Sequence, residues 1–340
     1  MNKVIEYFKN LVSYKIFSQN IKVYGWEFNY DYELVSSVLP YLFEKLEIIE
    51  NIAPESNENR DGRIREKKYI TIHDTGDTTS FRGAKYWSDV VREQCQKEMG
   101  TKYAASFQYV VGSDGIYHNI PDNEIAYHAG DTTKFDYALY DTKIKEQSMI
   151  KLEVKDSEYY INDIPTGVKV NSEHADLKTS DLNSQGVLVK VVNGTYHIGE
   201  TYFNETYKKI ANRGGNNNSI GMEICINQGT DIYKTWQRAA KLTAYLLDQN
   251  NLEFKDIKQH HYFSGKDCPM TMRKNNLYDH FLFLVKVEYD ILQFIKEGYT
   301  IEFESLCENV DSDGRVKDIN SPTTSRIKVI YNNQVEYYDI

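Results

Sequence analysis

The chain has 340 residues, of which 41% are hydrophobic and 26% charged, and it contains only 6 Pro and 19 Gly. These fractions are typical of a folded protein of two or three modules and exclude a disordered, collagen-like or low-complexity chain. The 50 acidic residues outnumber the 40 basic ones, and the formal net charge of −10 argues against nucleic acid or an anionic membrane as the main partner.

The first residues of the chain do not have the pattern of a targeting segment. Lys9 and Lys15 interrupt the apolar run that a secretory signal peptide needs, and no apolar stretch approaches the roughly 18 residues of a membrane span. We therefore expect a protein made in the cytoplasm without a signal peptide and without an integral membrane segment. The cysteines form no CxxC pair, which predicts free thiols. They are Cys95, Cys225, Cys268 and Cys307.

The amino-terminal part of the chain is predicted to be helical. Residues 1–60 carry apolar side chains at helical spacing, most clearly in YELVSSVLPYLFEKLEIIENI, which Pro40 interrupts. Residues 56–68 are polar and charged, and they predict a linker or exposed loop. The following run YITIHDTG, residues 69–76, predicts a short strand that delivers His73 to a loop.

The middle of the chain changes to a β-rich pattern. A helix is predicted over 81–99 and a hairpin over 105–121, with its turn at residues 112–115. Alternating segments over about 141–200 predict a β-rich insertion. Its turn signals are Asn162-Asp163, Pro165 to Gly167, and Asn193-Gly194.

The carboxyl-terminal third alternates between helices and loops before it ends in strands. A Gly/Asn loop over 212–227 leads into a strand, and a strong helix is predicted over 230–251 with Asp231 as its cap. A loop over 260–269 precedes another helix at 277–298. The tail alternates again and predicts a small β-module with a turn at Asn332-Asn333. The buried stripe of the 230–251 helix is predicted to be Trp236, Ala239, Ala240, Leu242 and Leu246.

Four residues have the chemistry of a metal site. His73 follows a strand, His260 and Cys268 lie eight residues apart in one loop, and Glu223 lies on a strand. Zinc accepts imidazole nitrogen and thiolate sulfur, and three protein ligands leave a fourth position for water. Glu223 would take the proton of that water and Lys266 would stabilise an oxyanion. On spacing alone, His73 as a core histidine and Cys268 as an inert buried thiol remain alternatives. The histidines without a motif, predicted to be packing or surface residues, are His118, His174, His197 and His280.

Four sequence blocks occur in the order found in one enzyme family. They are IHDTG (72–76), AYHAGD (126–131), NSIGMEIC (218–225) and QHHYFSGKDCP (259–269). With them the chain resembles the zinc-dependent N-acetylmuramoyl-L-alanine amidases, the family shared by phage endolysins, bacterial autolysins and peptidoglycan-recognition proteins. The resemblance spans about 67–140 and 205–290.

The resemblance implies a role for individual residues. Zinc (Zn2+) would be held by His73, His260 and Cys268, with His261 as the alternative to His260 because of the doublet. The catalytic pair would be Glu223, which activates the water, and Lys266, which stabilises the tetrahedral intermediate. The expected substrate-binding residues are His128, Gln108 and Asn218.

One departure from the family pattern affects the expected mechanism. Some relatives carry a Tyr-His pair on the hairpin strand, where this chain has Phe107-Gln108. Phe107 cannot supply a phenol, so Glu223 would have to act as the general base. Gln108 can form a hydrogen bond to substrate but cannot titrate.

The resemblance implies an enzyme that hydrolyses the amide bond between N-acetylmuramic acid and L-alanine, with bacterial peptidoglycan as its partner and the cell wall as its place of action. One alternative is a module that binds muropeptide without cleaving it. Another is a thiol hydrolase with Cys268 as nucleophile and His260 as base.

The predicted fold class is α/β, with a mixed central sheet flanked by helices, a β-rich insertion and a small carboxyl-terminal β-module. The predicted domains are a helical extension over 1–66, a catalytic domain over 67–298 with the insertion at about 141–200, and a β-module over 299–340. Modular design in the family suggests wall binding for this last module.

Overall fold

The computed structural model describes most of the chain. The described residues are 3–12, 18–23, 26–31, 42–60, 62–93, 105–130, 139–147, 151–169, 187–201, 215–264, 266–310, 321 and 324–339. Cys95, His174 and part of the 81–99 helix prediction lie outside them. None of the described helices is both long and apolar enough to cross a membrane.

The predicted α/β class with a mixed central sheet is confirmed. The sheet has six strands in the order β14-β4-β13-β5-β6-β3. Adjacent strands run parallel except for the β5–β6 hairpin. Its strands are β3 (Ile49–Glu50), β4 (Tyr69–Asp74), β5 (Tyr109–Gly112), β6 (Gly115–His118), β13 (Ser219–Ile224) and β14 (Ile257–Gln259).

Seven α-helical segments and one 3-10 helix, Phe254–Asp256, accompany the strands in the described part of the chain. The longer ones are α1 (Lys3–Val12), α2 (Ala84–Glu93), α4 (Ile232–Gln249) and α7 (Tyr278–Lys296). The short ones are α3 (Gly215–Asn218), α5 (His260–Ser264) and α6 (Met270–Lys274).

The two faces of the central sheet are chemically different because side chains alternate along each strand. Ile70 and Ile72 of β4, with Met222 of β13, belong to the main apolar core together with α4 and α7. The predicted stripe on α4 is fully buried there, and Asp231 caps this helix by accepting a hydrogen bond from the Lys234 N–H. The opposite face carries polar residues, and α2 covers part of it through a smaller core.

The β-rich insertion is confirmed as two three-stranded sheets with a core of their own, which includes Ile161 and Ile198. The turns at Asn162-Asp163 and Asn193-Gly194 are present and have positive φ. The predicted turn at Pro165 to Gly167 is wrong: both residues lie within a strand, where Gly167 at φ 73° accompanies a register shift. The strands are β7 (Leu139–Lys145), β8 (Leu152–Lys155), β9 (Glu158–Ile161), β10 (Ile164–Lys169), β11 (Val187–Val192) and β12 (Thr195–Thr201).

The predicted helical amino terminus is confirmed for α1, whereas residues 13–17 and 32–41 of that prediction lie outside the described residues. The prediction is wrong for β1 (Ser18–Val23) and β2 (Trp26–Asp31), which pair antiparallel. It is also wrong for residues 43–48, which form a turn and irregular chain, and for β3, which pairs with the open edge of β6. Pairing with that edge satisfies backbone groups that a short isolated helix would leave to water, so tertiary contact overrides the local pattern.

Two loop predictions need correction in detail. Residues 56–68 are irregular as expected, yet Asn59 is fully buried and donates a hydrogen bond to the Val91 carbonyl of α2. This segment therefore packs against the domain and is not a free linker. The 260–269 segment begins with the short helix α5 before it becomes irregular.

The tail forms the predicted β-sheet, built from β15 (Thr300–Ser305), β16 (Ser325–Tyr331) and β17 (Gln334–Asp339), with positive φ at Asn332 and Asn333. Ile327 and Val329 of β16 are fully buried in the main core, which also contains Phe8 of α1. The tail therefore packs against the rest of the molecule. The predicted domain boundaries and the wall-binding role of this module stay predictions.

We expect His118 to make the stability of the fold depend on pH. Its Nδ1 lies 3.0 Å from a carboxylate oxygen of Glu50, across the β3–β6 pair, and Tyr109 stacks on its ring. Burial lowers the pKa of His118, but hydrogen bonds to Asp122 and Glu50 raise it by more, so the net pKa lies above the ordinary value. The stabilisation is therefore present below the unfolded-state pKa and is lost as pH rises through the folded-state pKa.

The test is a double-mutant cycle of His118→Asn and Glu50→Gln by chemical denaturation at about pH 5.5 and about pH 9. Because Glu50 is largely exposed, we expect a coupling of roughly 0.5–1 kcal/mol at the lower pH and almost none at the higher pH. Equal coupling at both values would contradict a charged interaction.

Candidate metal centre

Three neighbouring strands bring the candidate residues to one level of the sheet. Glu223 of β13 lies opposite His73 of β4, and Gln259 of β14 lies opposite Ile72 of β4, so His260 follows at the level of His73. All three strands are parallel, which places these residues near their carboxyl ends, where open α/β sheets bind ligands. His73 and Glu223 share the face that does not contact the main core.

The side chains of His73, His260 and Cys268 converge on one point. Nδ1 of His73 lies 3.1 Å from Nδ1 of His260 and 3.6 Å from Sγ of Cys268. One ligand atom from each residue lies within 4.8 Å of the others, and all three residues are buried. The structure thus brings together the predicted ligand set and places His260, not its neighbour His261, in the cluster.

Burial controls the protonation of this cluster. It lowers the pKa of His73 and of His260 well below the ordinary value, and the nearby Lys266 charge acts in the same direction. Burial also raises the pKa of the Cys268 thiol well above its usual range. Two neutral imidazoles and a sulfur that point their lone pairs at one another are a suitable donor set for a metal cation, which would displace the thiol proton.

The same burial argues against the thiol-hydrolase alternative. A nucleophilic cysteine needs an accessible sulfur and a depressed pKa. Cys268 is 3% exposed and its pKa is raised. Burial and a raised pKa are compatible with a metal ligand but not with a free nucleophile.

Glu223 lies beside the cluster with one carboxylate oxygen uncommitted. Its Oε1 is 3.7 Å from Nδ1 of His73, while its Oε2 is buried and has no hydrogen-bond partner within the described residues. Burial raises the pKa of Glu223 to about 8, and the Lys266 charge opposes this rise. A carboxyl group with a pKa near neutrality can both accept and release a proton at the site.

A set of contacts around α6 fixes the segments that carry the cluster. A carboxylate oxygen of Asp74, which follows His73, accepts a hydrogen bond from the Thr271 N–H at 2.7 Å. The Arg273 guanidinium donates to Asp267 at 2.6 Å and to Gln259 at 2.7 Å. These partners directly precede Cys268 and His260. Sequence reasoning missed Thr271 and Arg273 because neither belongs to a motif block.

Two of the predicted substrate-binding residues have other roles or positions. Gln108 is fully buried, where its amide donates to the Glu124 carbonyl and accepts from the Gly221 N–H. The structure therefore gives it a structural role in place of the predicted contact with substrate. Asn218 precedes β13, at the end of the strand away from Glu223, so the structure does not bring it to the cluster. Five residues of extended strand correspond to roughly 16 Å.

His128, the third predicted substrate-binding residue, lies directly behind the cluster. Its Nδ1 is 3.0 Å from Nε2 of His73, and the two rings are nearly perpendicular. Burial lowers the pKa of His128 to about 3, so the imidazole is neutral. The side chain of Asn216 accepts hydrogen bonds from the His128 and Ala129 N–H groups.

Comparison with known proteins gives a consistent family. Residues 63–271 match the sequence profile of the family Amidase_2, described as N-acetylmuramoyl-L-alanine amidase. The N-acetylmuramoyl-L-alanine amidase CwlH of Bacillus subtilis (strain 168) is 24% identical over 225 residues, which are 66% of this chain and 56% of CwlH. The N-acetylmuramoyl-L-alanine amidase XlyA of the same organism is 38% identical over 61 residues, which are 18% of this chain and 20% of XlyA. The chain thus spans little more than half the length of CwlH.

Solved structures with a similar arrangement include a mutant endolysin from Bacillus subtilis. The alignment has 21% sequence identity and a TM-score of 0.43, and it covers 71% of this chain and 99% of the endolysin chain. The catalytic domain of XlyA shares 20% identity with coverages of 70% and 99% and a TM-score of 0.41.

The geometry predicts that the purified protein holds about one divalent metal ion per chain. Cys268→Ala should lose the ion, because it removes one of three convergent ligands. Cys225→Ala is the matched control, since Cys225 is also fully buried but belongs to the smaller core under α2. Metal content is measured by inductively coupled plasma mass spectrometry. Equal metal content in the two variants would contradict the assignment of the site.

Proposed function

Because the chain belongs to the N-acetylmuramoyl-L-alanine amidase family Amidase_2, we propose that it is a zinc-dependent hydrolase of bacterial peptidoglycan. The bond cleaved is the amide between N-acetylmuramic acid and L-alanine, and the place of action is the cell wall. One observation carries the proposal: a buried Nδ1, Nδ1, Sγ triangle lies next to a carboxyl group that has an uncommitted oxygen.

The separations of the three donor atoms support zinc as the metal. Tetrahedral zinc, with bonds of about 2.05 Å to nitrogen and about 2.3 Å to sulfur, places two nitrogens roughly 3.3 Å apart and a nitrogen and a sulfur roughly 3.6 Å apart. The corresponding distances here are 3.1 Å and 3.6 Å. Two imidazoles and one thiolate would be three protein ligands, the number that catalytic zinc sites use.

When bound, zinc would supply Lewis acidity that activates water and polarises the scissile carbonyl. Glu223 lies beside the cluster of three donor atoms. It holds or releases a proton at Oε2, first as the base toward the attacking water and then as the acid toward the leaving amine. The Lys266 charge lowers the pKa of both Glu223 and Cys268. In the proposed mechanism this ammonium group stabilises the negative charge that develops on the carbonyl oxygen.

Phe107 supports the assignment of Glu223 as the general base. This residue occupies the place where some relatives have a tyrosine, and its side chain is buried in the core under α2. It therefore supplies no titrating group to the site. A carboxyl group with a raised pKa remains as the acid and base next to the cluster.

We expect Glu223→Gln to reduce the hydrolysis of purified peptidoglycan by about 10²–10⁴-fold while zinc content stays at that of the wild type. The substitution keeps the shape of the side chain but removes its ability to accept a proton. Free amino groups of L-alanine released from purified sacculi provide the measurement. Glu288→Gln is the matched control, because Glu288 is a buried glutamate of α7 on the opposite side of the sheet.

Lys266→Met should lower turnover by about 10²–10³-fold, because it removes a charge that stabilises the transition state. Full activity of both Glu223→Gln and Lys266→Met would contradict the mechanism. A wild-type protein that binds zinc and co-sediments with sacculi but releases no amino groups would establish the alternative, a non-catalytic peptidoglycan-binding module.

A further inference from the structure

The two ring nitrogens of His73 face different partners. Nδ1 faces His260 and Cys268, whereas Nε2 lies 3.0 Å from Nδ1 of His128. An imidazole that offers the Nδ1 lone pair to a metal carries its proton on Nε2. Nε2 of His73 is then a donor, and Nδ1 of His128 is the acceptor that it reaches.

We propose that His128 is a positioning residue of the metal site, which accepts the Nε2–H of His73 and so fixes the tautomer and orientation in which His73 presents Nδ1. This inference rests on the zinc site of the proposed function. It replaces the expectation that His128 contacts substrate. Groups that accept the N–H of a metal-bound histidine orient its ring, and their loss typically weakens metal binding by about 10–100-fold.

The surroundings of His128 hold its ring against His73. Asn216 Oδ1 accepts hydrogen bonds from the backbone N–H groups of His128, at 2.8 Å, and of Ala129, at 2.6 Å. Gly221 of β13 provides the space for the ring, since a Cβ atom at this position would lie 2.6 Å from two of its carbon atoms. The absence of a side chain at Gly221 thus lets the ring pack directly on the strand that also carries Glu223.

The remaining polar atom of His128 is not presented to substrate. Its Nε2 is buried and has no hydrogen-bond partner within ordinary distance among the described residues. Nδ1 is directed at His73 and Nε2 is buried, so neither ring nitrogen of His128 is exposed to a substrate.

The experiment measures the dissociation constant of zinc by competition with a chromophoric chelator, for the wild type and three variants of His128. His128→Asn keeps an acceptor, because Oδ1 of Asn is bonded to Cγ as Nδ1 of His is. His128→Gln is polar but displaces its amide by one bond, and His128→Leu has no acceptor. We expect about 10–100-fold weaker zinc binding for Gln and Leu, and near-wild-type binding for Asn.

Gly221→Ala provides an independent variant that alters no polar group. The added methyl group should displace the His128 ring from His73 and weaken zinc binding in the same direction. His280→Leu is the matched control, since His280 is a buried histidine of α7 that packs on Phe283. The zinc affinity of His280→Leu should equal that of the wild type. Melting temperatures of the metal-free proteins establish which variants are folded.

Zinc affinities of the Gln and Leu variants equal to that of the wild type would overturn the proposal. Such affinities together with a raised KM for muropeptide would assign His128 to substrate binding instead. If the wild type binds zinc and releases L-alanine amino groups while these affinities are unchanged, the positioning role fails and the proposed function stands. If the wild type binds no zinc, both fail together.

Discussion

Parallel pairing in fixed register aligns the strands that carry the candidate site. Glu223 lies opposite His73, and the pairing of Gln259 with Ile72 brings His260 to the same level. Side chains alternate between the faces of a sheet, so a slip of one residue in either pairing would exchange a site residue with a core residue. The apolar core on one face therefore specifies the register, and the register in turn specifies the alignment of polar side chains on the other.

Burial then determines what these polar side chains can do. It keeps His73 and His260 neutral, raises the pKa of the Cys268 thiol, and raises the pKa of Glu223 to about 8. In water these groups would be solvated and would titrate close to their ordinary values. In the protein, the three donor atoms are directed at one another, and a bound cation is the species that satisfies them together. The Arg273 contacts to the two ligand-bearing segments restrain this arrangement.

The described additions at the two ends of the chain pack on the face of the central sheet opposite the candidate metal centre. The amino-terminal helix α1 and the carboxyl-terminal sheet share the main core on the opposite face, where Phe8 and Ile327 are fully buried. The β-rich insertion has a separate core that includes Ile161 and Ile198. One face of the central sheet thus contributes mainly to stability. The other face carries the candidate metal centre, with His128 and Gly221 packed directly behind the cluster.

Much of the fold and of the site follows from local patterns. Alternating polar and apolar residues predicted β4 and the strands of the insertion. Helical spacing of apolar residues, with Asp231 as the cap, predicted α4. Four sequence blocks in the family order indicated the ligand set. The failures have a common physical cause. Residues 18–23, 26–31 and 49–50 form strands because partner strands are available, and Gly167 marks a bulge because its strand continues past Pro165. Local propensity does not contain that information.

The same division holds for the site residues. The sequence by itself determined which residues have metal-binding and acid-base chemistry, since residue type and block order are local properties. Only the tertiary structure decided that His260 and not His261 joins His73, that the Gln108 amide bonds to backbone groups, and that the His128 ring lies against His73. The physical reason is that orientation and burial arise from packing between segments far apart in the chain, and these two properties decide what each side chain can bind.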